Sequence, residues 1–425
     1  MARLSIHSTL IAVAGSLIAL SPIATAQVSA TFEFIVDPNT KFTAFSANDI
    51  SPDGQWIVGG VDTDGDLFAD RGFRWDRVNN EFTFIENGGG PFVEAAVSVS
   101  DDGSVVLGNL PGEVELEEGT AAIWTDENGW TDLGYLPNAG FCPSRSNGYE
   151  ISADGTVVVG LSWDGCSGRG FRWTQESGMQ ELESLAFGAN RASLLSADGS
   201  IIAGFAQGVF SRTPATWDGT TLVGTLLDPI AEIQGEFQGM SDDGSVLLGS
   251  WYLGDPDASY DAVKIVNGVS TRIGAGSLLP GWAGTPMDIA DNGTIVGFDR
   301  LLGNRRAWIQ PNGEGEIFEL VAWLNSLGAD VPVGTPLRVI QAISADGRYI
   351  IGHSGAGTPA WLITLDYEND CPADLTDDGV LNFFDVSAFL GAFSTNDPAA
   401  DFDDNGVFNF FDVSAFLNAF SAGCP

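Results

Sequence analysis

Residues 152–160 read SADGTVVVG, and this pattern, Ser-x-Asp-Gly followed by an apolar run and a glycine, recurs along the chain. Copies begin at Ser51, Ser100, Ser152, Ser196, Ser241 and Ser344, and a shorter copy, ADNGTIVG, begins at Ala290. Asp-Gly or Asn-Gly marks a tight turn between two strands, and the apolar run after it predicts a buried strand. The aspartate is therefore expected to cap its turn rather than to carry out chemistry.

A second signature, an apolar segment that usually ends in tryptophan, follows each turn by about twenty residues. The tryptophans are Trp75, Trp124, Trp173, Trp217, Trp308 and Trp361, and the fifth copy has DAVKI instead. A short turn and a further strand then follow in six of the copies. We interpret the tryptophans as packing between sheets, with stacking against sugar rings as the alternative.

Four short strands in each of seven copies are typical of a seven-bladed β-propeller, here spanning residues 27–368. Seven copies supply only six fourth strands, and TFEFI, from Thr31, resembles the fourth strand of the first copy. This strand is predicted to complete the last blade and so remove an exposed sheet edge. The array resembles the HAF extracellular repeat family, which implies secretion and a propeller but no particular activity.

Other features of the propeller give few candidates for chemistry. An insertion at residues 316–336 contains helical spacing over Leu320–Leu327, which predicts packing over the rim. The alternative is a functional role, because the insertion is expected on the face that usually carries the site of a propeller. His353 is the only histidine after the first 26 residues, so no catalytic residue is assigned. An acidic loop partly matches a calcium-binding loop but has Gly65 out of place, so we expect a solvated loop, with a calcium site as the alternative: Asp62, Asp64, Asp66 and Asp70.

The C-terminal region repeats itself, because residues 381–393 (LNFFDVSAFLGAF) return as residues 408–420 (FNFFDVSAFLNAF). An acidic loop precedes each copy, and loop positions 1, 3, 5, 7 and 12 can supply the oxygens that Ca²⁺ requires. The predicted ligands are Asp374, Thr376, Asp378, the carbonyl of Val380 and Asp385, then Asp401, Asp403, Asn405, the carbonyl of Val407 and Asp412. Asn382 and Asn409 stand at position 9, where a ligand often acts through water.

Position 12 is aspartate in both loops and no amphipathic helix precedes them, so each unit is a loop followed by a helix. Two such units look like a type I dockerin, and Cys371 with the terminal Gly-Cys-Pro makes residues 371–425 resemble GC-type dockerin-like anchors. The resemblance implies a small α-helical domain at 369–425, two bound Ca²⁺ ions and docking onto a cohesin-like or other surface protein. The phenylalanines that it implies in partner choice are Phe383, Phe384, Phe410 and Phe411. A core position for all four is the alternative, as is a generic acidic tail for the whole region.

The first 26 residues predict export. Arg3, an apolar run from Leu10 to Leu20 and the ATA sequence ending at Ala26 match a signal peptide, and a retained membrane helix is the alternative. Acidic residues outnumber basic ones by 57 to 17, which argues against binding nucleic acid or anionic membranes. No other stretch is long enough to span a membrane. The protein is therefore expected outside the cell or at its surface.

Four cysteines in an exported chain predict disulfides, and three connectivities are possible. Cys371 and Cys424 bracket the duplicated region, while Cys142 and Cys166 lie in one stretch of the propeller, so we expect these pairs. Zinc binding is the alternative, but it lacks a Cys-x-x-Cys spacing.

Two functions remain open from the sequence. The first is a non-catalytic propeller, held in an extracellular assembly by a calcium-dependent dockerin-like module. The alternative is an enzyme, a hydrolase or lyase acting on extracellular polysaccharide and anchored in the same way. Two carboxylates, or an arginine with a tyrosine, converging on the face that bears the insertion would favour the enzyme.

Overall fold

We describe a computed structural model of the 425-residue chain. It describes residues 28–422 except 65–68, 87–95, 111–118, 138–143, 164–166, 229–232, 253–259, 356–357, 368–370, 377–380, 396 and 403–405. The predicted signal peptide, Cys142, Cys166 and Cys424 lie outside these residues. The chain divides into two compact units: one is Val28–Tyr367, and the other contains Glu368–Pro425.

Val28–Tyr367 folds into seven four-stranded antiparallel sheets, which confirms the predicted seven-bladed propeller. The chain begins with β1 (Val28–Phe34), which belongs to the last blade. Blade one contains β2 (Ala44–Ile50), β3 (Trp56–Val61), β4 (Arg71–Asp76) and β5 (Glu81–Glu86). Blade two contains β6 (Ser98–Val99), β7 (Val106–Leu110), β8 (Thr120–Thr125) and β9 (Gly129–Asp132). Blade three contains β10 (Arg145–Ile151), β11 (Val157–Trp163), β12 (Gly168–Thr174) and β13 (Gly178–Glu181). Blades four and five contain β14 (Asn190–Leu195), β15 (Ile201–Gln207), β16 (Arg212–Asp218), β17 (Gly224–Leu226); and β18 (Gly235–Met240), β19 (Val246–Trp251), β20 (Asp261–Val266), β21 (Val269–Arg272). Blades six and seven contain β22 (Ala283–Ile289), β23 (Ile295–Leu301), β24 (Asn304–Gln310), β25 (Phe318–Glu319); and β26 (Val339–Ile343), β27 (Tyr349–His353), β28 (Trp361–Tyr367).

The N-terminal strand closes the ring. β1 pairs antiparallel with β28, from Val28 opposite Tyr367 to Phe34 opposite Trp361, so it forms the outer strand of the seventh blade. The prediction drawn from TFEFI is confirmed, and the strand begins three residues earlier than expected. Closure in this manner covers the edge that β28 would otherwise expose.

Each Ser-x-Asp-Gly turn is held by the same hydrogen bonds. In the third blade the Ser152 hydroxyl donates to Asp154 Oδ1 at 2.7 Å, and the same oxygen accepts from the N–H of Thr156 at 3.0 Å. The Val157 N–H in turn donates to Ser152 Oγ at 2.9 Å. The arrangement recurs around Asp53, Asp102, Asp198, Asp243 and Asp346. The aspartates therefore cap their turns, as predicted.

The turn glycines also fix the contact between neighbouring blades. Gly103 has a φ of +70°, and a Cβ added to it would stand 2.2 Å from the Trp56 ring of the first blade. A Cβ added to Gly155 would likewise stand 2.7 Å from Cγ2 of Val105 in the second blade. A left-handed backbone and a neighbour at this distance both require glycine, so the motif encodes the stacking of blades as well as the turn.

The third-strand tryptophans lie in the blade cores. Trp308 and Trp361 are fully buried, and Trp75, Trp173 and Trp217 are at most 8% exposed. Their role in packing is confirmed, and the alternative of a sugar platform is wrong for these five. The fifth blade, which lacks this tryptophan, buries Trp251 from its second strand instead; its ring lies edge-on to Phe237 with centroids 6.0 Å apart.

The insertion forms helix α1 (Leu320–Ser326), as its spacing predicts. Leu320 and Leu324 are buried in an apolar cluster that includes Ile309 of β24 and Trp361 of β28. The helix therefore packs against the two last blades, in agreement with the interpretation as packing.

The C-terminal unit contains helices α2 (Phe383–Thr395) and α3 (Phe410–Ala422). Its core is aromatic: the rings of Phe389 and Phe416 stack with centroids 4.1 Å apart, and Phe402 meets both edge-on. Leu390 and Leu417 lie outside this core and are 58% and 52% exposed. Each lies seven residues, or about two helical turns, after the exposed phenylalanine that begins its helix, so the two side chains share the outer face of that helix.

Candidate functional site

The seven first strands surround a cavity of about 340 Å³ on the axis of the propeller. Six of these strands contain a β-bulge, and the residue inside the bulge lines the cavity together with residues that follow it. The bulge residues are Asn48, Tyr149, Ser193, Gln238, Met287 and Gln341. We call this cavity the channel.

Carboxylates line the channel and tie neighbouring blades together. Asp49 Oδ2 accepts from the Val99 N–H of the second blade at 2.9 Å, and Asp288 Oδ2 accepts from the Ile343 N–H of the seventh at 2.8 Å. The third member, Glu150, accepts from Ser98 of the second blade at 2.6 Å. These acids serve as structural acceptors between first strands. Two further acids, Asp101 and Asp242, line the same channel.

Enclosure by the seven strands raises the pKa of these acids. Burial raises the pKa of Asp49 to about 6, although the hydrogen bonds to its charged form act in the opposite direction. Burial also raises the pKa of Asp242 to about 6. The pKa values of Glu150 and Asp288 lie well above their ordinary values, first through enclosure and then through repulsion between the carboxylates. Among the residues that the structure places around the channel, none is basic. The negative charge of these carboxylates is therefore reduced by binding protons as the pH falls.

Arginines gather at the other end of the first strands, where the connections between blades enter. Arg191 lies over the ring of Tyr149, with its Cζ 5.1 Å from the ring centroid. Its Nε donates to Ser193 Oγ and its Nη2 to Glu236 Oε2, both at 2.9 Å. Arg212 joins the group, because its Nη1 donates to the two oxygens of Glu236 at 3.1 and 2.9 Å.

Aromatic rings hold these guanidinium groups in place. The Phe205 ring centroid lies 4.8 Å from Cζ of Arg191 and 4.5 Å from Cζ of Arg212. Nearby, Cζ of Arg145 lies 4.3 Å from the ring centroid of Trp163. Burial lowers the pKa of Arg145, and its electrostatic interaction with Tyr149 opposes that change. Carboxylates thus lie within the channel, and Arg191 stands beside it, in contact with the lining residues Tyr149 and Ser193. We call Tyr149, Arg191, Phe205, Arg212 and Glu236 the arginine cluster.

The arginine cluster was not predicted from the sequence. Arg191 and Glu236 stand five residues before the motif serine in successive copies, so the repeat register itself carried the signal. The predicted insertion leads into the start of β26, which is the corresponding end of the first strand in the seventh blade. An arginine and a tyrosine therefore meet at this end of the first strands, which is one of the two arrangements that we took to favour an enzyme.

The first C-terminal loop brings three predicted calcium ligands together. Asp385 is fully buried, and it accepts from the Asn382 N–H at 2.9 Å, the Thr376 N–H at 3.1 Å and the Thr376 hydroxyl at 2.9 Å. That hydroxyl also lies 3.4 Å from Asp374 Oδ1. Burial raises the pKa of Asp385, but the hydrogen bonds outweigh it and leave the pKa below its ordinary value. An ionised oxygen set of this kind fits a hard cation.

The second loop repeats part of this arrangement. Asp412 is fully buried and accepts from the Asn409 N–H at 2.7 Å. Asp401 Oδ2 accepts from the N–H of Gly406, whose φ of +73° makes the sharp turn expected at loop position 6. The Val407 carbonyl, another predicted ligand, accepts from Asn409 Nδ2 at 2.7 Å. Four predicted ligands lie outside the described residues: Asp378, Val380, Asp403 and Asn405.

Among the described residues, no group of three or more Asp, Glu, His or Cys side chains is arranged to hold a metal. The unit nevertheless has buried carboxylates and no lysine or arginine anywhere in residues 371–425 to neutralise them. The donor types fit Ca²⁺ and the calcium sites remain a prediction.

The two helix starts expose the predicted phenylalanines. The carboxamide oxygens of Asn382 and Asn409 cap the helices, accepting from the N–H two residues later at 2.7 and 2.8 Å. The exposed fractions are 76% for Phe383, 67% for Phe384, 75% for Phe410 and 68% for Phe411. The alternative that placed all four in the core is therefore wrong, and their contact with a partner stays a prediction.

Three remaining candidates have structural roles or stay open. Burial, with Arg305 nearby, lowers the pKa of His353 to about 4, so this imidazole is neutral. In the acidic loop, Asp70 accepts from the Thr63 hydroxyl at 2.5 Å, while Asp66 lies outside the described residues. Cys371 is disulfide-bonded, and its pairing with Cys424 remains a prediction because the other cysteines lie outside the described residues.

Comparison with known proteins establishes the fold and no more. An oligogalacturonate lyase from Vibrio parahaemolyticus matches with a TM-score of 0.51 and 14% identity, covering 80% of this chain and 98% of that one. The β-propeller domain of the Trilobed protease from Pyrococcus furiosus matches with a TM-score of 0.50 and 13% identity, over 77% and 99% of the two chains. No protein-family model and no curated protein matches the sequence. In the described part of the chain, no helix is long and apolar enough to cross a membrane.

Proposed function

We propose that this is an exported, non-catalytic propeller that a calcium-dependent docking module, residues 369–425, anchors into an extracellular assembly. The observation that carries the proposal is the exposure of the two phenylalanine pairs at equivalent positions of a duplicated loop–helix unit. Large apolar side chains in such clusters are uncommon on the surface of a protein that acts alone. Residues 1–26 would direct export.

Charge supports a protein partner for this surface. The chain has a formal net charge of −40, yet the only charged residues of α2 and α3 are Asp385 and Asp412, which are fully buried. The outer faces of both helices are therefore uncharged. A cohesin-like or other surface protein with an apolar face could cover them without meeting the repulsion that the rest of the chain exerts.

The bound ions would link the loops to the helix starts. Ca²⁺ would supply positive charge that the carboxylates of each loop need when they are brought together. Asp385 would contribute to the first site and also fixes the backbone of Asn382, directly before the first Phe pair. Asp412 and Asn409 have the same relationship in the second unit. Ordering of the loops would thus orient the exposed phenylalanines.

Docking can be tested with the full chain lacking residues 1–26, on surface proteins of its source cells. We expect calcium-dependent capture of one partner, lost in chelator and lost when Phe383, Phe384, Phe410 and Phe411 are changed to serine. Phe210→Ser is the matched control, because Phe210 is 67% exposed but belongs to the propeller. Equal capture by the fourfold variant, or capture that ignores chelator, would contradict docking through these residues.

A polysaccharide lyase or hydrolase is the second candidate, and the contact between Arg191 and Tyr149 is the observation that favours it. In a lyase, an arginine could neutralise a substrate carboxylate while a tyrosine moves a proton. The oligogalacturonate lyase shares the fold alone at its 14% identity. Release of unsaturated or reducing sugar ends by the wild type, absent in Tyr149→Phe, would replace the non-catalytic proposal.

A further inference from the structure

We propose that the arginine cluster binds the carboxylate of an acidic sugar chain, with Arg191 and Arg212 contacting the carboxylate at the mouth of the channel. The inference rests on propeller residues alone and is independent of docking by the C-terminal unit. It concerns binding and does not require turnover.

The guanidinium groups retain open donors. Arg191 uses Nε and Nη2, and within the described part of the chain its Nη1 has no hydrogen-bond partner. Arg212 uses only Nη1, so its Nε and Nη2 remain available on a side chain that is 48% exposed. Planar donors of this kind match the two oxygens of a carboxylate.

The cluster carries excess positive charge in an otherwise acidic protein. Two arginines share one carboxylate, that of Glu236, whose side chain is only 16% exposed. One positive charge is therefore left over, where partial burial reduces screening by water. Phe205 lies against both guanidinium groups and limits their motion, so a ligand would meet a preorganised pair.

The surroundings favour a sugar chain with sparse carboxylates. Tyr149, Ser193 and Gln238 line the adjoining channel and offer an aromatic ring, hydroxyls and an amide, groups that suit a hydroxyl-rich ligand. A dense polyanion would be repelled by Glu150 and the other channel acids and by the net charge of −40. The class that fits is an oligosaccharide whose uronate groups are separated by neutral sugars or stand at a chain end.

The test is calorimetric titration of the full chain lacking residues 1–26 with a neutral oligosaccharide that ends in a single uronate, and with the same oligomer as its methyl ester. We expect the acid to bind and the ester to fail. Arg191→Gln and Arg212→Gln should each weaken binding at least about tenfold, the effect of losing a hydrogen bond between charged groups. Arg71→Gln is the matched control, since Arg71 is 40% exposed and paired with Glu86 at 3.2 Å in the first blade.

Circular dichroism and melting temperature establish that each variant is folded. No binding of the acid by the wild type, equal binding of the ester, or an equal loss in Arg71→Gln would overturn the proposal. Tighter binding of an acidic peptide than of this oligosaccharide with a terminal uronate would overturn the assignment to sugars. Chelator should leave the titration unchanged, so failure of calcium-dependent docking and failure of this site give different results.

Discussion

The hydroxyl of Ser98 in the second blade donates a 2.6 Å hydrogen bond to Oε1 of Glu150 in the third blade. This bond crosses a blade boundary next to the channel, where the carboxylates repel one another. The propeller therefore places acids that bind protons readily at contacts between its repeats.

From this arrangement we predict that the propeller becomes more stable as the pH falls from about 7.5 to about 5. The pKa values of Asp49 and Asp242 in the folded chain are about 6, and those of Glu150 and Asp288 lie well above their ordinary values. In the unfolded chain such acids titrate near 4. The folded state thus binds more protons across this window, and its free energy of unfolding rises on acidification.

His353 acts in the opposite direction, because its folded pKa of about 4 lies below its unfolded value; one such group is outnumbered by the four acids. Calorimetric melting at constant ionic strength measures the sum. Glu150→Gln is the decisive variant, since it keeps an acceptor for Ser98 and removes one proton-binding site. It should melt higher than the wild type at pH 7.5 and show a flatter pH dependence. An unchanged slope would contradict the assignment.

Substitution of a turn glycine should disturb the neighbouring blade as well as the turn. Gly103→Ala places a Cβ at a φ of +70° and 2.2 Å from the Trp56 ring, whereas Gly129→Ala has a φ of +63° with nothing within 4 Å. Both changes cost backbone strain on the order of 1 kcal/mol. Only Gly103→Ala also has to displace the tryptophan, so it should lose clearly more stability in urea unfolding. Equal losses would mean that the blade contact adapts without cost.

Calcium binding should be lost one ion at a time. Calorimetry of the full chain lacking residues 1–26 is expected to give two ions, and Asp385→Asn or Asp412→Asn should leave one. Each removes the charge of a fully buried carboxylate with few atoms changed. Asp397→Asn is the control in the same unit, because Asp397 is exposed and caps a short helical turn through Ala399. Two ions retained by both test variants would remove the assigned ligands.

If Cys371 and Cys424 form the predicted disulfide, a non-reduced digest should contain a peptide that joins Cys371 to Cys424. A loop of this length would stabilise the unit by about 4 kcal/mol in the chain-entropy model. The double variant Cys371→Ser with Cys424→Ser should therefore unfold at lower denaturant when calcium is limiting. Detection of Cys371 joined to Cys142 or Cys166 would instead show that the two units are covalently connected.

Local patterns allowed much of the fold to be predicted. Trp308, the Ser152–Asp154 turn and helix α1 each follow from spacing within a few residues, and the repeat count implied the strand from Thr31. The channel did not follow, because alternation along a strand sends only every second residue to one face. A bulge at Tyr149 lets it and Glu150 both line the channel, and such a bulge leaves no clear mark in one sequence.

The pairing of β1 with β28 also has a consequence for the order in which the propeller can fold. Tyr367 is synthesised more than three hundred residues after its partner Val28, so the edge at this junction cannot be covered until the propeller is almost fully synthesised. Until then a seven-residue strand waits without its partner. Contacts at such separation form slowly, and the last step in folding of the propeller would be the meeting of the two ends of its own segment of chain.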